Sequence, residues 1–242
     1  MIDRLRKKGF EFAYCSHAEA ILCADFPEAL IDLATVLREL SIAVEDLVRG
    51  GGGEAKMTQG LRRRFRDLGW KKHEFEIKKL IDGTERESIS HEVDHVRKSE
   101  RGQVALEIEW NNKDPFFDRD LENFKRLHAE GAISVGIILT RGKSLQEKLR
   151  SFILAFAKKQ AIRSHKDLER YGVVPTRRQQ LIVEKRMRSG VTFQVAWADA
   201  FCADKYGQAT THWRKLEDRV HRGVGNPCPL LLIGIPATVI VA

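Results

Sequence analysis

The sequence that decides the fold reads Gln103-Val104-Ala105-Leu106-Glu107-Ile108-Glu109-Trp110. Its residues alternate, so a β-strand would turn the even-numbered apolar side chains to one face and Glu107 and Glu109 to the other. Two carboxylates on one face of a buried strand repel each other and lose hydration. Both carboxylates are stable in the ionised form only if the face is solvated or if cations lie between them. A hard, oxygen-seeking ion such as Mg²⁺ suits this arrangement.

The preceding sequence predicts that this strand closes an antiparallel meander. Residues 73–80 and 88–96 are also extended segments, and Asp82-Gly83 and a polar stretch separate the three. If Asp94 ends the second strand beside Glu107 and Glu109, three carboxylates converge and can bind one or two divalent ions. Asp94 and Glu107 would be direct ligands, and Glu109 would hold or deprotonate an attacking water.

Glu54 is a fourth carboxylate of interest. It follows Gly50-Gly51-Gly52-Gly53, interpreted as a hinge, and begins a predicted helix over residues 54–69. An acidic residue is favoured there by the helix dipole alone, so a role as metal ligand and a purely structural role both remain open. The glycines lack the Gly-Lys-Ser or Gly-Lys-Thr ending of a phosphate-binding loop, which excludes nucleotide hydrolysis as their purpose.

The rest of the chain predicts helices that alternate with buried strands. Apolar periodicity over residues 26–48 predicts an amphipathic helix or a broken pair of helices. Further helices are predicted at residues 117–130, 144–159, 179–188, 192–204 and 213–222, and strands that are buried on both faces at residues 133–139 and 230–235. The fold class is therefore α/β, with a central mixed β-sheet flanked by helices in one domain.

Composition indicates the class of binding partner and the compartment of the protein. The formal net charge of +8 and the basic clusters, such as Arg62-Arg63-Arg64-Phe65-Arg66, favour a polyanionic partner, although solvated helix faces give the same pattern. Four cysteines without paired spacing are interpreted as reduced, mostly core residues. No signal peptide or membrane-spanning stretch is recognised, so we expect no membrane partner and a cytoplasmic protein.

One pattern points to a different chemistry. His91-Glu92-Val93-Asp94-His95 matches the bare zinc-protease sequence His-Glu-x-x-His. That sequence binds zinc on a helix, whereas the alternating, β-branched context here predicts a strand, on which the two histidines are too far apart for one ion. A zinc metalloprotease is therefore kept as a named rival.

Several segments together resemble a known family. They are residues 52–70, Asp94 with Glu107-Ile108-Glu109-Trp110-Asn111-Asn112-Lys113-Asp114, the helix that starts at Asp118-Arg119-Asp120-Leu121, and Val135-Gly136-Ile137-Ile138-Leu139-Thr140-Arg141. Their order and spacing resemble the BglII-type restriction endonucleases, relatives of BamHI in the PD-(D/E)XK nuclease superfamily. The similarity covers about residues 50–142 and the closing strand, and does not extend to residues before Gly50 or to about 160–206.

The resemblance implies a Mg²⁺-dependent homodimer that cuts both strands of a short palindromic site in double-stranded DNA, alongside a companion DNA methyltransferase. Asp94, Glu107 and Glu109 fall on the family's catalytic positions. A lysine is more usual at the third position, so Glu109 implies a general base or a further metal ligand. For DNA contact we select Asn112, Lys113 and Arg119, although an asparagine after a strand equally caps a turn.

The same resemblance divides the single restriction-endonuclease-like domain, residues 1–242, into three parts. Residues 1–49 are a helical N-terminal segment, 50–142 the catalytic core, and 143–242 a helical part for DNA recognition and dimerisation that ends in the closing strand. Base-reading loops are expected around residues 212–222. A non-catalytic sequence-specific DNA-binding protein and a DNA-repair nuclease of the same superfamily are the alternatives.

Overall fold

A computed structural model describes residues 1–49 and 54–241, without the side chains of Arg86 and Glu87. The glycine run predicted as a hinge, residues 50–53, lies outside the described residues. Within them the α-helices are α1 Ile2–Lys7, α2 Ala18–Asp25, α3 Pro27–Arg38, α4 Val44–Val48, α5 Lys56–Asp67, α6 Pro115–Ala129, α7 Lys143–Lys159, α8 Arg177–Arg188, α9 Phe193–Lys205 and α10 Trp213–His221. Two 3-10 helices cover Lys166–Tyr171 and Ala237–Val239.

A mixed sheet of six strands organises these helices. The strands among the described residues are β1 Glu11–Cys15, β2 Ile42–Ala43, β3 Lys71–Ile81, β4 Thr84–Ser99, β5 Gly102–Glu109, β6 Val135–Arg141, β7 Leu230–Ile235 and β8 Ile240–Val241. The order in the large sheet is β1-β7-β6-β5-β4-β3, and β2 pairs with β8 apart from it. β5, β6 and β7 are mutually parallel, whereas β3, β4 and β1 run antiparallel to their neighbours. The predicted meander and the predicted α/β class with a mixed sheet are confirmed.

Each face of the sheet is covered by helices. Val104, Leu106 and Ile108 of β5, and Trp110 directly after it, pack in one core together with the buried faces of α3, α5 and α7. Ala105 points to the other face, into a second core formed with α6 and α10. The alternation predicted for this strand is therefore confirmed. Burial of each large apolar side chain contributes roughly 1.5–3 kcal/mol, so the strand is held firmly from both faces.

Some elements differ from the sequence prediction. The helical pattern over residues 26–48 is a broken pair, since α3 ends at Arg38 and α4 begins at Val44. Residues 1–49 are not wholly helical, because β1 joins the sheet beside β7. This short edge strand carries only half-buried side chains, so its sequence shows no clear apolar alternation.

The predictions on cysteines and membranes have mixed outcomes. All four cysteines belong to the described part of the chain and are free, as predicted, but only Cys228 is buried and Cys23 is exposed. They are therefore not mostly core residues. Among the described residues, no helix has both the length and the apolar character needed to cross a bilayer.

Candidate active site

The predicted acidic residues meet at one edge of the sheet. Because β5, β6 and β7 are parallel, their carboxyl ends share this edge, and a cleft lies at the end of β5. The cleft has a volume of about 320 Å³, and its lining includes Glu54, Asp94, Glu107 and Glu109. The structure thus brings together all four carboxylates selected from the sequence. Ligand pockets in α/β folds commonly lie at this edge.

Asp94 reaches the cleft beside an irregularity in β4. Between Val93 and Val96 the strand advances three residues while its partner β3 advances two, from His73 to Lys71. An extra residue of this kind bends a strand and re-aims a side chain. The backbone N–H of Asp94 donates to Oε1 of Glu107 over 3.3 Å. The two predicted ligands are therefore neighbours across adjacent strands.

Glu107 and Glu109 project from the same face of β5 and are both buried, with 8% and 3% of their surface exposed. Burial, together with the negative charges of Asp120 and Asp94, raises the pKa of Glu107 well above its usual value. Burial and Asp120 also raise the pKa of Glu109. Burial and the neighbouring carboxylates thus disfavour the ionised forms of both side chains, and an external cation beside them would oppose that effect.

Glu109 is oriented by two residues that the sequence analysis assigned to DNA contact. Asn112 Nδ2 donates to Oε2 of Glu109 over 2.9 Å. Arg119 Nη2 lies 3.8 Å from Oε1 of Glu109, and the guanidinium packs over the ring of Phe116. Both side chains are therefore engaged with the carboxylate within the protein. Lys113, in contrast, does not line the cleft, and its backbone forms an antiparallel bridge to Thr210.

Glu54 lies two residues before α5. The helix was predicted to begin at Glu54, but it begins at Lys56. Its Oε2 is 3.1 Å from Nη1 of Arg62, and its Oε1 is buried without a hydrogen-bond partner among the described residues. Arg62 Nη2 also donates to Oδ2 of Asp94 over 2.8 Å. One guanidinium thus bridges the two carboxylates, a contact that the sequence analysis did not anticipate.

Asp120 is a fifth carboxylate of the site that the sequence analysis missed. It is 2% exposed, its Oδ1 accepts from Nε and Nη2 of Arg119 at 2.8 and 2.7 Å, and its Oδ2 has no partner among the described residues. Burial raises its pKa despite the opposing charge of Arg119. A signal was present in the sequence, since Asp120 shares the inward helical spacing of Phe117, Leu121 and Phe124.

Arg141 connects the end of β5 to a distant part of the chain by hydrogen bonds. It is fully buried, and its Nε donates to the carbonyl of Trp110 over 2.7 Å and to that of Thr211 over 3.2 Å. Its Nη2 donates to Oγ1 of Thr210 over 2.6 Å. Burial lowers the pKa of Arg141 to about 10, so the group stays charged at neutral pH. Thr140 Oγ1 adds a bond of 2.7 Å to the carbonyl of Glu109.

The zinc-protease reading does not fit the structure. His91 and His95 lie on β4, a strand. The ring of His95 packs edge-on against Phe65 of α5, 5.7 Å between centroids, and its Nδ1 is 3.2 Å from the carbonyl oxygen of Leu106. The pKa of His91 is lowered by burial and by the positive charge of Arg126 on α6. The two rings thus have separate surroundings, and the resemblance to His-Glu-x-x-His is accidental.

No ready-made cage of His, Cys, Asp and Glu ligands for a metal ion occurs in residues 1–49 and 54–241. In and beside the cleft, carboxylate oxygens are paired with arginines instead, those of Glu54 and Asp94 with Arg62 and that of Asp120 with Arg119. The four carboxylates of Glu54, Asp94, Glu107 and Glu109 nevertheless surround one cleft. Their oxygens are the ligands that hard divalent cations prefer.

Comparison with known proteins gives one family. The model of one protein family, described as Restriction endonuclease BglII/BglIII, matches residues 10–235. The match therefore includes the segments before residue 50 and between 160 and 206 that showed no recognisable similarity by inspection. No curated protein matches the chain.

Proposed function

Since this chain belongs to the restriction endonuclease BglII/BglIII family and is a type II site-specific deoxyribonuclease, we propose that it hydrolyses both strands of a short palindromic DNA site with Mg²⁺. Asp94, Glu107 and Glu109 carry the reaction. The observation that carries the assignment is the convergence of these side chains in one cleft at the carboxyl end of β5. Family membership supports the type of reaction, and this convergence supports the choice of residues.

The residues of the cleft fit a divalent cation. Oε1 of Glu54 is buried without a partner among the described residues, and the pKa of Glu107 is raised chiefly by burial and by the neighbouring Asp120 and Asp94. Asp94, Glu107 and Glu54 would hold Mg²⁺ through carboxylate oxygens. When bound, the ion supplies neutralisation of charge on the phosphodiester and a lower pKa of a coordinated water.

Glu109 acts as the general base in this proposal. Its carboxylate is placed by the Asn112 amide, with the Arg119 guanidinium nearby, so one oxygen can accept a proton from the attacking water. A lysine at position 109 would face these donors without an acceptor to offer them. That geometry supports glutamate as a functional choice at this position.

The residues proposed for DNA contact divide into two roles. Asn112 and Arg119 position Glu109, and Arg119 remains half exposed at the mouth of the cleft, where it can also approach a phosphate. Lys113 is exposed and lies beyond the cleft, so we assign it a phosphate contact outside the reacting centre. A homodimer would place two such clefts on the two strands of a palindrome, since a twofold protein matches a twofold site.

The proposal is tested by digestion of a long unmethylated DNA with Mg²⁺ and, in parallel, with EDTA, followed by sequencing of the fragment ends. Discrete fragments that share a palindromic end and require Mg²⁺ are expected. Random degradation would point to a repair-type nuclease of the same superfamily. Intact DNA, with specific binding retained, would leave a non-catalytic DNA-binding protein.

A further inference from the structure

The net positive charge of this protein is concentrated in one helical region. Residues 143–205, which run from α7 to α9, contain 14 Lys and Arg and 6 Asp and Glu residues, a net charge of +8. The net charge of the whole chain is also +8, so the net charge of all other residues together is zero. The active-site cleft lies outside this region. The catalytic core therefore does not account for the basic character of the protein.

Within this region, α8 is the most exposed helix. Its one buried residue is Val183, and it packs on α9. On the side opposite Val183, positions spaced three and four residues apart form an outer stripe, composed of Arg178, Leu181, Ile182, Lys185 and Arg188. All five side chains are exposed, including 48% of Leu181 and 40% of Ile182.

The cations of the stripe are not neutralised within the described part of the chain. Arg177 and Arg186, at the sides of the helix, are paired with Glu184 and Asp199. No such ion pair among the described residues involves Arg178, Lys185 or Arg188. A second copy of the chain is a poor occupant, since a twofold contact through this stripe would oppose three positive charges to three others.

Helix α8 is attached to the same edge of the sheet as the active site. Gln179, in its first turn, donates to Oδ2 of Asp204 at the end of α9 over 2.9 Å. Two residues later, the ring of Tyr206 lies 5.0 Å from the guanidinium of Arg141, which binds the carbonyl of Trp110 at the end of the catalytic strand. The beginning of the stripe is thus linked by contacts to the cleft.

We propose that the outer stripe of α8 binds the sugar-phosphate backbone of duplex DNA outside the catalytic cleft. Ten residues of helix extend about 15 Å, which spans roughly four nucleotides of one strand. The three cations contact phosphates, and the exposed Leu181 and Ile182 cover sugars between them. The inference rests on the proposed function, because it takes DNA as the polyanion. Phosphate contacts of this kind strengthen and orient binding without reading sequence.

The test is a triple variant, Arg178→Gln, Lys185→Gln and Arg188→Gln, compared with Arg4→Gln, Lys7→Gln and Arg38→Gln. The second set removes the same charge from exposed positions on α1 and α3, at the opposite end of the sequence. Binding of a labelled 30-base-pair duplex is measured against salt concentration, with Ca²⁺ in place of Mg²⁺. We expect the slope of log Kd against log salt to fall by about 2.7 units for the α8 set, about 0.9 for each cation. It should change little for the control set.

Equal slopes for both sets would overturn the proposal, even if cleavage is intact. Conversely, the wild type could bind DNA without ever cleaving it, while the α8 set still lowers the salt slope. That result would refute the proposed function but leave the proposed DNA contact of α8 standing. Two further arms identify a wrong occupant. Dissociation of a dimer by Leu181→Ser with Ile182→Ser, or α8-dependent binding to phosphatidylserine vesicles with an unchanged DNA slope, would assign the stripe to another partner.

Discussion

Arg62 and Asp94 form a direct ion pair in the proposed active site, with Nη2 of the arginine 2.8 Å from Oδ2 of the aspartate. The other terminal nitrogen of Arg62 is 3.1 Å from Oε2 of Glu54. The guanidinium therefore occupies the oxygens that we assign to Mg²⁺. In the absence of metal and DNA, it offsets part of the repulsion between carboxylates.

This contact predicts that Arg62→Met strengthens divalent-ion binding to the DNA-free protein, because the competing cation is removed. Exposed ion pairs contribute up to about 1 kcal/mol each, so the affinity should rise roughly 3- to 10-fold. Calorimetric titration with Mn²⁺ measures it, and Arg63→Met, at the exposed neighbouring position, is the control. Unchanged or weaker binding by Arg62→Met would show that the metal does not use these oxygens.

The crowding of carboxylates predicts a gain in stability when one charge is removed. Burial of Asp120 raises its pKa, so its ionised form destabilises the folded state and Asp120→Asn mimics the neutral form. In EDTA at pH 7.5 we expect a melting temperature about 2–4 °C higher, which corresponds to about 1 kcal/mol for a chain of this size. Differential scanning calorimetry measures the shift. A decrease of similar size would mean that the pair with Arg119 outweighs the repulsion.

His212 predicts a loss of stability in acid. Burial and the charges of Arg141, Lys215 and Arg214, against the smaller effect of Asp114, lower its pKa to about 4. Its usual pKa is about 6.5, so between these values the unfolded chain binds the proton more readily than the folded protein. The stability that depends on neutral His212 is therefore complete above pH 6.5 and is lost as the pH falls towards 4.

Denaturant titrations of the wild type and of His212→Gln, at pH 7, 5.5 and 4.5, measure this effect. The free energy of unfolding of the wild type should decrease relative to that of the variant as the pH falls. His221→Gln serves as the matched control. His212 directly precedes α10, whereas His221 is exposed at the last position of that helix. A pH-independent difference between the wild type and His212→Gln would refute the assignment.

The hydrogen bonds of Arg141 predict a structural coupling between β5 and the segment before α10. Arg141→Met would leave the carbonyls of Trp110 and Thr211 buried without donors, which costs roughly 2–5 kcal/mol. Urea unfolding should detect this loss, whereas Arg222→Met, at a largely exposed arginine, should stay within about 0.5 kcal/mol. Equal stability of the two variants would show that water replaces the guanidinium.

The sequence was most informative where periodicity was strong. The alternation around Glu107 predicted the faces of β5, and the unbroken apolar run before Arg141 predicted a strand buried on both faces. The edge strand β1 was missed because its burial is only partial. The positions of Asp94, Glu107 and Glu109 followed from strand spacing together with the family resemblance.

Contacts within the site were less accessible to sequence reasoning. Asp120 stands in a charged stretch, Asp118-Arg119-Asp120, and its inward helical spacing predicts burial but not its position beside Glu107 and Glu109. The bridge from Arg62 to Asp94 joins residues 32 positions apart, and a run of arginines gives no reason to single out one of them. Such long-range contacts depend on how α5 and α6 approach the sheet rather than on local pattern.

The most direct test of the central claim compares Glu107→Gln with Glu92→Gln in cleavage and DNA binding. Both variants replace one carboxylate by an amide of the same shape. Glu107 is buried in the cleft, whereas Glu92 is exposed and paired with Lys72. We expect Glu107→Gln to bind DNA with Ca²⁺ but to lose at least about 100-fold in Mg²⁺-dependent cleavage rate, and Glu92→Gln to cleave like the wild type. Full cleavage by Glu107→Gln would contradict the assignment of this cleft as the active site.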